Sequence, residues 1–273
     1  MKNANFCETD ESIGFATLSL LGQSGCSLQF KGITIYIDPF LSNSVQELDS
    51  PDLVRLVPIP FLPESVIDAD WVLITHDHID HCDPLSLPKI AQASPQAKFI
   101  APSSVISILL GWGIAPNRLF HAREQGHILI EGIELFAIPS AHPKITRDSE
   151  GKLARVGYLV RAFGENIYIA GDTCVDDEII KILHLHGPIH TALLPVNEHN
   201  YFREKRGILG NMSIREAFLF ADVINTKQVI PVHWDMFEAN GAYIEEILLI
   251  YNKTRPSFQL QIAQDSLVLF HES

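Results

Sequence analysis

The chain reads as a mixed α/β (α+β) fold, and three observations predict it. Short runs rich in β-branched and aromatic residues alternate with helical segments along its length. No Pro/Gly/Ser-rich linker and no internal repeat breaks that alternation. The residues best suited to chemistry sit immediately after apolar runs, where strand ends hold side chains rigidly. At 273 residues one domain or two would be ordinary. Candidate ligands spread from position 76 to 233 favour a single domain over 1–273.

In chain order, strands are expected at 14–21, 26–30, 33–37, 71–75, 98–101, 127–130, 133–138, 155–162 and 166–170, then at 191–195, 227–232, 259–263 and 266–270. Helices are expected at 84–93, 103–111, 176–186, 213–224 and 241–252. Asp83 caps the first with Pro84 opening it, and Ser213 caps the fourth, with Glu216 completing a capping box. His184 and His186, beside Gly187-Pro188, fall at a helix end, where imidazoles suit exposed carbonyls. Residues 41–65 hold four prolines and read either as a loop over a site or as a surface excursion.

Hydrophobic residues at 47% against charged residues at 19% describe a large core. Twenty Lys and Arg against 33 Asp and Glu give a net charge of −13, which opposes long-range attraction to nucleic acid or an anionic membrane. The first ten residues carry no apolar signal core, and no later run approaches a membrane span. Four scattered cysteines (Cys7, Cys26, Cys82, Cys174) without a Cys-x-x-Cys pair fit a reduced, cytoplasmic chain.

The densest chemistry lies at Thr75-His76-Asp77-His78-Ile79-Asp80-His81, directly after the apolar run Trp71 to Ile74. Neutral imidazoles and carboxylates are the ligands that zinc, manganese and iron accept. In extended backbone His76 and His78 point to one side, and Asp80 and His81 fall where a second ion could sit. The competing reading is a polar loop of solvated histidines. Four residues cannot close two coordination spheres, so further ligands are needed. His142, Asp172 and His233 each follow an apolar run, and Gly171 permits a tight turn that presents Asp172.

The ordered series His-x-His-x-Asp-His, His142, Gly171-Asp172 and His233, preceded by Ile35-Tyr36-Ile37-Asp38-Pro39, resembles the metallo-β-lactamase superfamily across nearly the whole chain. That resemblance implies a four-layer αββα sandwich with a di-metal centre at one edge. It assigns His76, His78 and His142 to one metal and Asp80, His81 and His233 to the other. Asp172 bridges them, and Asp38 is a structural aspartate beside the site.

Departures narrow the class. Aspartate at the bridging position is unlike the classical β-lactamases, and Cys174 reads as a small buried residue more than as a ligand. His78 stands where flavodiiron oxidoreductases carry glutamate, and no basic exosite arm of the tRNA-processing members is visible. The words Gly111-Trp112-Gly113, Val156-Gly157-Tyr158-Leu159 and Gly210-Asn211-Met212-Ser213 resemble the L-ascorbate-6-phosphate lactonase branch. The chain is shorter at both ends than that enzyme.

The expected function is therefore a metal-dependent hydrolase using two divalent ions, Mn2+ or Zn2+ with Fe2+ as a further candidate. It would open the lactone of a small anionic, sugar-phosphate-like substrate, with Asp80 and Asp172 also orienting the attacking water. Arg203 and Arg206 are candidate grips for a phosphate or carboxylate, with Tyr201 and Asn211 as further substrate contacts. Their competing reading is a solvated charge run with Glu204 as local partner. Tyr201 and His199 are candidate general acids. A phosphodiesterase or nuclease of the same fold, and a non-catalytic metal-binding scaffold or sensor, are the alternatives. Homo-oligomerisation stays open.

Overall fold

The computed structural model describes residues 15–262 and 266–271. Cys7, the N-terminal ten residues, the first position of the expected strand 14–21, the last of 259–263 and the side chain of His271 lie outside the described residues.

Two seven-stranded sheets form the centre. The first contains β1 (Phe15–Gly22), β2 (Gly25–Phe30), β3 (Ile33–Ile37), β4 (Trp71–Leu73), β5 (Lys98–Ala101), β6 (Leu119–His121) and β14 (Leu267–His271), with β14 beside β1 and β6 at the far edge. β1 pairs antiparallel with β14 and β2, and β2 with β3; from β3 to β6 the pairing is parallel. The second contains β7 (Ile128–Ile130), β8 (Ile133–Pro139), β9 (Val156–Ala162), β10 (Glu165–Ile169), β11 (Ile189–Pro195), β12 (Thr226–Val232) and β13 (Gln259–Leu260), in chain order across the sheet. It is antiparallel up to β10 and parallel beyond it.

Parallel neighbours need crossovers, and helices supply most of them. α1 (Leu87–Ala93) and α2 (Ser103–Gly111) follow β4 and β5 on the outside of the first sheet. α3 (Asp177–His186), α5 (Ile214–Val223) and α6 (Ile244–Thr254) cover the second, and the short α4 (Tyr201–Glu204) precedes α5. Three cores fill the spaces between the four layers. Leu28, Ile35, Leu73, Val160, Ile167 and Ile230 meet between the sheets. Val72, Phe99, Leu87 and Val105 lie under α1 and α2, while Tyr168, Leu194, Ile179 and Phe218 lie under α3 and α5. Each such fully buried side chain contributes about 1.5–3 kcal/mol. Covered on both faces, β4 is an unbroken apolar run, and β10 and β11 end in the apolar stretches Ile167-Tyr168-Ile169 and Ala192-Leu193-Leu194.

Helix α1 begins at Leu87, later than the expected 84. Asp83 instead organises the preceding turn, accepting from the backbone N–H of Leu85 at 2.9 Å and from the Ser42 hydroxyl at 2.7 Å. Asp176 caps α3, accepting from Glu178 N–H, and the Ser213–Glu216 capping box of α5 is complete. His184 lies in the last turn of α3, but its Nε2 donates to the carbonyl of Val223 at the end of α5, 2.7 Å away, and not to a carbonyl of its own helix. β6 and α4 had no counterpart in the sequence expectations.

Both sheets send the carboxyl ends of parallel strands to one edge, the usual place for a ligand crevice in such sheets. Tyr158 of β9 ties the sheets together just below that edge. Its buried hydroxyl is 2.8 Å from the Ile74 carbonyl and 3.0 Å from that of Ile100.

Candidate metal centre

The segment after β4 carries His76, His78, Asp80 and His81; the segments after β8, β10 and β12 add His142, Asp172 and His233. They assemble into two adjoining clusters. His76, His78, His142 and Asp172 present ligand atoms within 4.8 Å of one another, as do Asp80, His81 and His233. Asp172 touches both. One of its oxygens, Oδ1, lies 3.3 Å from His81 Nε2 and 3.3 Å from His233 Nε2, and the other, Oδ2, lies 3.6 Å from His142 Nε2.

Local sequence explains these positions. Gly171 has φ +61, and a Cβ there would lie 2.9 Å from Thr75 Cγ2, so glycine is required for Asp172 to approach the histidine segment. Asp38 follows β3 and accepts from Thr75 N–H (2.8 Å), Thr75 Oγ1–H (2.6 Å) and His81 Nδ1–H (2.7 Å). Since Thr75 Oγ1 donates to Asp38, it accepts from His76 Nδ1, 2.9 Å away. Both imidazoles thereby keep their proton on Nδ1 and aim an unprotonated Nε2 at the cluster, the arrangement that orients ligating histidines.

The donor set fits divalent cations. His76 Nε2, His81 Nε2, His142 Nε2 and Asp172 Oδ1 are buried without a hydrogen-bond partner, an arrangement that costs free energy unless something accepts those lone pairs. In the second cluster, Asp80 Oδ2 is 3.7 Å from His81 Nε2 and 3.4 Å from His233 Nε2. Ligands at about 2.0–2.1 Å from a tetrahedral ion lie about 3.3–3.4 Å apart, close to those spacings.

Electrostatics point the same way. Burial pushes the pKa of His142 down to about 4 and that of His76 well below the usual imidazole range, leaving both neutral. Burial lowers His78 too, partly offset by Asp80 and Asp172. Burial would also depress His81 and His233, but the Asp172 and Asp80 carboxylates outweigh it and raise both. Those imidazoles in turn hold Asp80 and Asp172 low, against the upward push of burial. The clustered carboxylates thus attract positive charge, which a divalent ion supplies as well as protons do.

A cleft of about 440 Å³ opens over the centre. Asp77, His78, Ile79, Asp80, Asp172 and His233 form its floor. Val45, Asp49, Ser50 and Leu53 form one wall, so the first half of the 41–65 excursion covers the site. Leu56, Val57, Pro58 and Pro60 border a separate cavity of about 470 Å³. Arg206 to Leu209, Phe237 and Asn240 complete the cleft.

The expected substrate contacts divide. Arg206 lines the cleft and pairs across it with Asp52 at 2.8 Å. Arg203 does not line it: its guanidinium donates to the carbonyls of Asn197, Glu198 and Gly241 and serves as a clasp on the backbone. Tyr201 is exposed on α4, where Lys205 lies over its ring. Asn211 is buried and reaches the cleft only by relay: its Nδ2 donates to Asn197 Oδ1, and Asn197 donates to Asn240. His199 lies 4.0 Å from Glu204, also outside the cleft lining. Cys174 is among the residues outside both metal-type clusters, and burial raises its thiol pKa to about 11. Gln23, and the role of Thr75 within its segment, carry no spacing signal in the sequence; only the fold shows their contacts.

A family model described as a β-lactamase superfamily domain matches residues 34–234. A curated relative, the probable L-ascorbate-6-phosphate lactonase UlaG of Salmonella paratyphi B, is 28% identical over 211 residues, covering 72% of this chain. The match spans 58% of that relative's length. Among solved structures, the metallo hydrolase Igni18 of Ignicoccus hospitalis superposes with a TM-score of 0.70 at 21% identity, covering 93% of this chain and 97% of that one. CmlA, a diiron β-hydroxylase of Streptomyces venezuelae, gives 0.66 at 17% identity, covering 93% and 54%. From the helix-flanked pair of sheets, the His/Asp clusters at their edge and the family match over 34–234, the chain belongs to the metallo-β-lactamase superfamily.

Proposed function

We propose that this chain is a hydrolase that uses two divalent cations, Mn2+ or Zn2+ with Fe2+ as a further candidate, to open the lactone of a small anionic substrate. The observation that carries this reading is Asp172, whose two oxygens face different clusters. A single-ion site has no use for that arrangement. His76, His78 and His142 would hold one cation, Asp80, His81 and His233 the other, and Asp172 both. Bound cations supply an acidified water and polarise the scissile carbonyl.

The chain's own groups do the rest. Asp80 and Asp172, both ionised, would accept from a water between them and aim it at a substrate carbonyl in the cleft above. Asp38 and Thr75 keep His81 and His76 in the tautomer that ligates. Val45, Leu53, Ile208 and Phe237 exclude bulk solvent around the reacting group. Arg206 is the one Lys or Arg among the cleft's lining residues, and it would exchange Asp52 for a substrate phosphate or carboxylate. A single basic side chain in an acidic cleft favours a small monoanionic or phosphorylated molecule over a nucleic-acid backbone. The similarity to UlaG supports lactone opening ahead of phosphoester cleavage. The free thiols of Cys26, Cys82 and Cys174 support a reducing, cytoplasmic setting. Among the described residues, no helix is long and apolar enough to cross a membrane.

The test is a panel run with metal-reconstituted protein: a sugar-phosphate lactone, its unphosphorylated analogue, a phosphodiester and a structured RNA. Metal-dependent opening of the lactones is expected. Cleavage confined to the phosphodiester or RNA would assign a nuclease role, and no turnover of any member would leave a binding scaffold.

A further inference from the structure

Gln23 sits in the two-residue turn between β1 and β2, buried at 4% exposure with φ +57. Its carboxamide nitrogen is 2.6 Å from Asp80 Oδ2 and 3.0 Å from His233 Nε2. Its backbone carbonyl accepts from His233 N–H at 2.9 Å. One residue from the first sheet's hairpin therefore touches a ligand-type residue from each of the segments after β4 and β12, Asp80 and His233. The turn has no slack: a Cβ on Gly25 would lie 2.7 Å from the Asp38 carbonyl.

We infer that Gln23 is a positioning residue for the second cation site, holding Asp80 through its side-chain amide and His233 through its backbone carbonyl; the approach of the amide to His233 Nε2 gives way when that nitrogen's single lone pair goes to a cation. A carboxylate oxygen has two lone pairs, so Asp80 Oδ2 can accept from Gln23 and still ligate. The amide donor also neutralises part of the charge on Asp80 without competing for the metal as a fixed cation would. Among the described residues, Gln23 makes no hydrogen bond to His76, His78 or His142, so its direct contacts with ligand-type residues are to Asp80 and His233. His233 itself has φ +61, a conformation held in part by the backbone bond to Gln23. The inference rests on the two-cation reading above.

The experiment is a stepwise Co2+ titration of metal-free wild-type, Gln23→Ala and Gln23→Met proteins, followed by native mass spectrometry and visible absorption. Methionine keeps the side-chain volume and removes the amide. Both variants should bind the first ion as wild type does and the second about 10–100-fold more weakly, the usual effect of losing an outer partner of a ligand. The absorption band that grows with the second equivalent should shift, and that of the first should not. Wild-type affinity for the second ion in both variants would overturn the inference and leave the two-cation reading intact. Equal weakening at both ions with a lowered melting temperature would also overturn it, showing general support of the fold. A wild-type chain that takes up only one ion would overturn both.

Discussion

At the scale of single residues, charge and hydrogen bonding separate groups that the sequence makes look alike. Arg203 and Arg206 are three positions apart in one basic run, yet only Arg206 faces the cleft. Arg206→Ala should raise KM for a phosphorylated lactone about ten- to a hundredfold and spare the unphosphorylated analogue, because only the former makes the charged contact. Arg203→Ala should leave that discrimination unchanged. It should instead cost about 1.5–3 kcal/mol of stability, since three carbonyls lose a charged donor. Chemical denaturation of both variants beside their kinetics checks the pair; the opposite pattern would return the phosphate grip to Arg203. The ligand-type residues were legible because a His-x-His-x-Asp-His run is rare and each later partner follows an apolar strand. Gln23 and Thr75 were not legible, because their importance comes from contacts 57 and 37 positions away in the chain.

At the scale of elements, the sequence announced long, periodic segments and missed short ones held by their neighbours. β6 has three residues, with Phe120 and His121 exposed, and exists because the edge of β5 offers it a partner. Arg118 anchors its approach by donating to the carbonyls of Ala91, Ser94 and Ala97. α4 is one turn, started by Asn200, whose side chain accepts from Phe202 and Arg203 N–H. Neither leaves a hydrophobic period to read. The turn after β10 shows the reverse: Gly171-Asp172 was readable, and its glycine has a steric reason. Gly171→Ala forces a side chain into φ +61 against Thr75 and should cost about 1–3 kcal/mol. It should also weaken metal uptake at both clusters, because Asp172 faces both. Thermal unfolding with and without added metal checks this, and a variant with wild-type stability and metal uptake would show that the close approach is not needed.

At the scale of the whole molecule, the sheets must be locked face to face for residues from both to share one edge. Apolar burial between them does most of this, and Tyr158 adds direction by donating from the second sheet to the carbonyls of Ile74 and Ile100 in the first. Tyr158→Phe removes the donor, leaves the Ile74 carbonyl short of a partner while that of Ile100 still accepts from Ile74 N–H, and should lower stability in chemical denaturation by about 1–3 kcal/mol. The four-layer arrangement was expected from a resemblance, whereas alternating strands and helices alone specify only the mixed class. The covering of the site by Val45 to Leu53 was not decidable from a proline-rich composition, because such segments fold against whatever surface they cross.

The two-cation mechanism is tested most directly by adding Mn2+ stepwise to the metal-free chain while native mass spectrometry counts bound ions and lactone hydrolysis is followed in parallel. Turnover should rise with the doubly loaded species, and His233→Ala should stop at one ion without activity. Full turnover at one ion per chain, or failure of the wild type to bind a second, would contradict the two-cation mechanism.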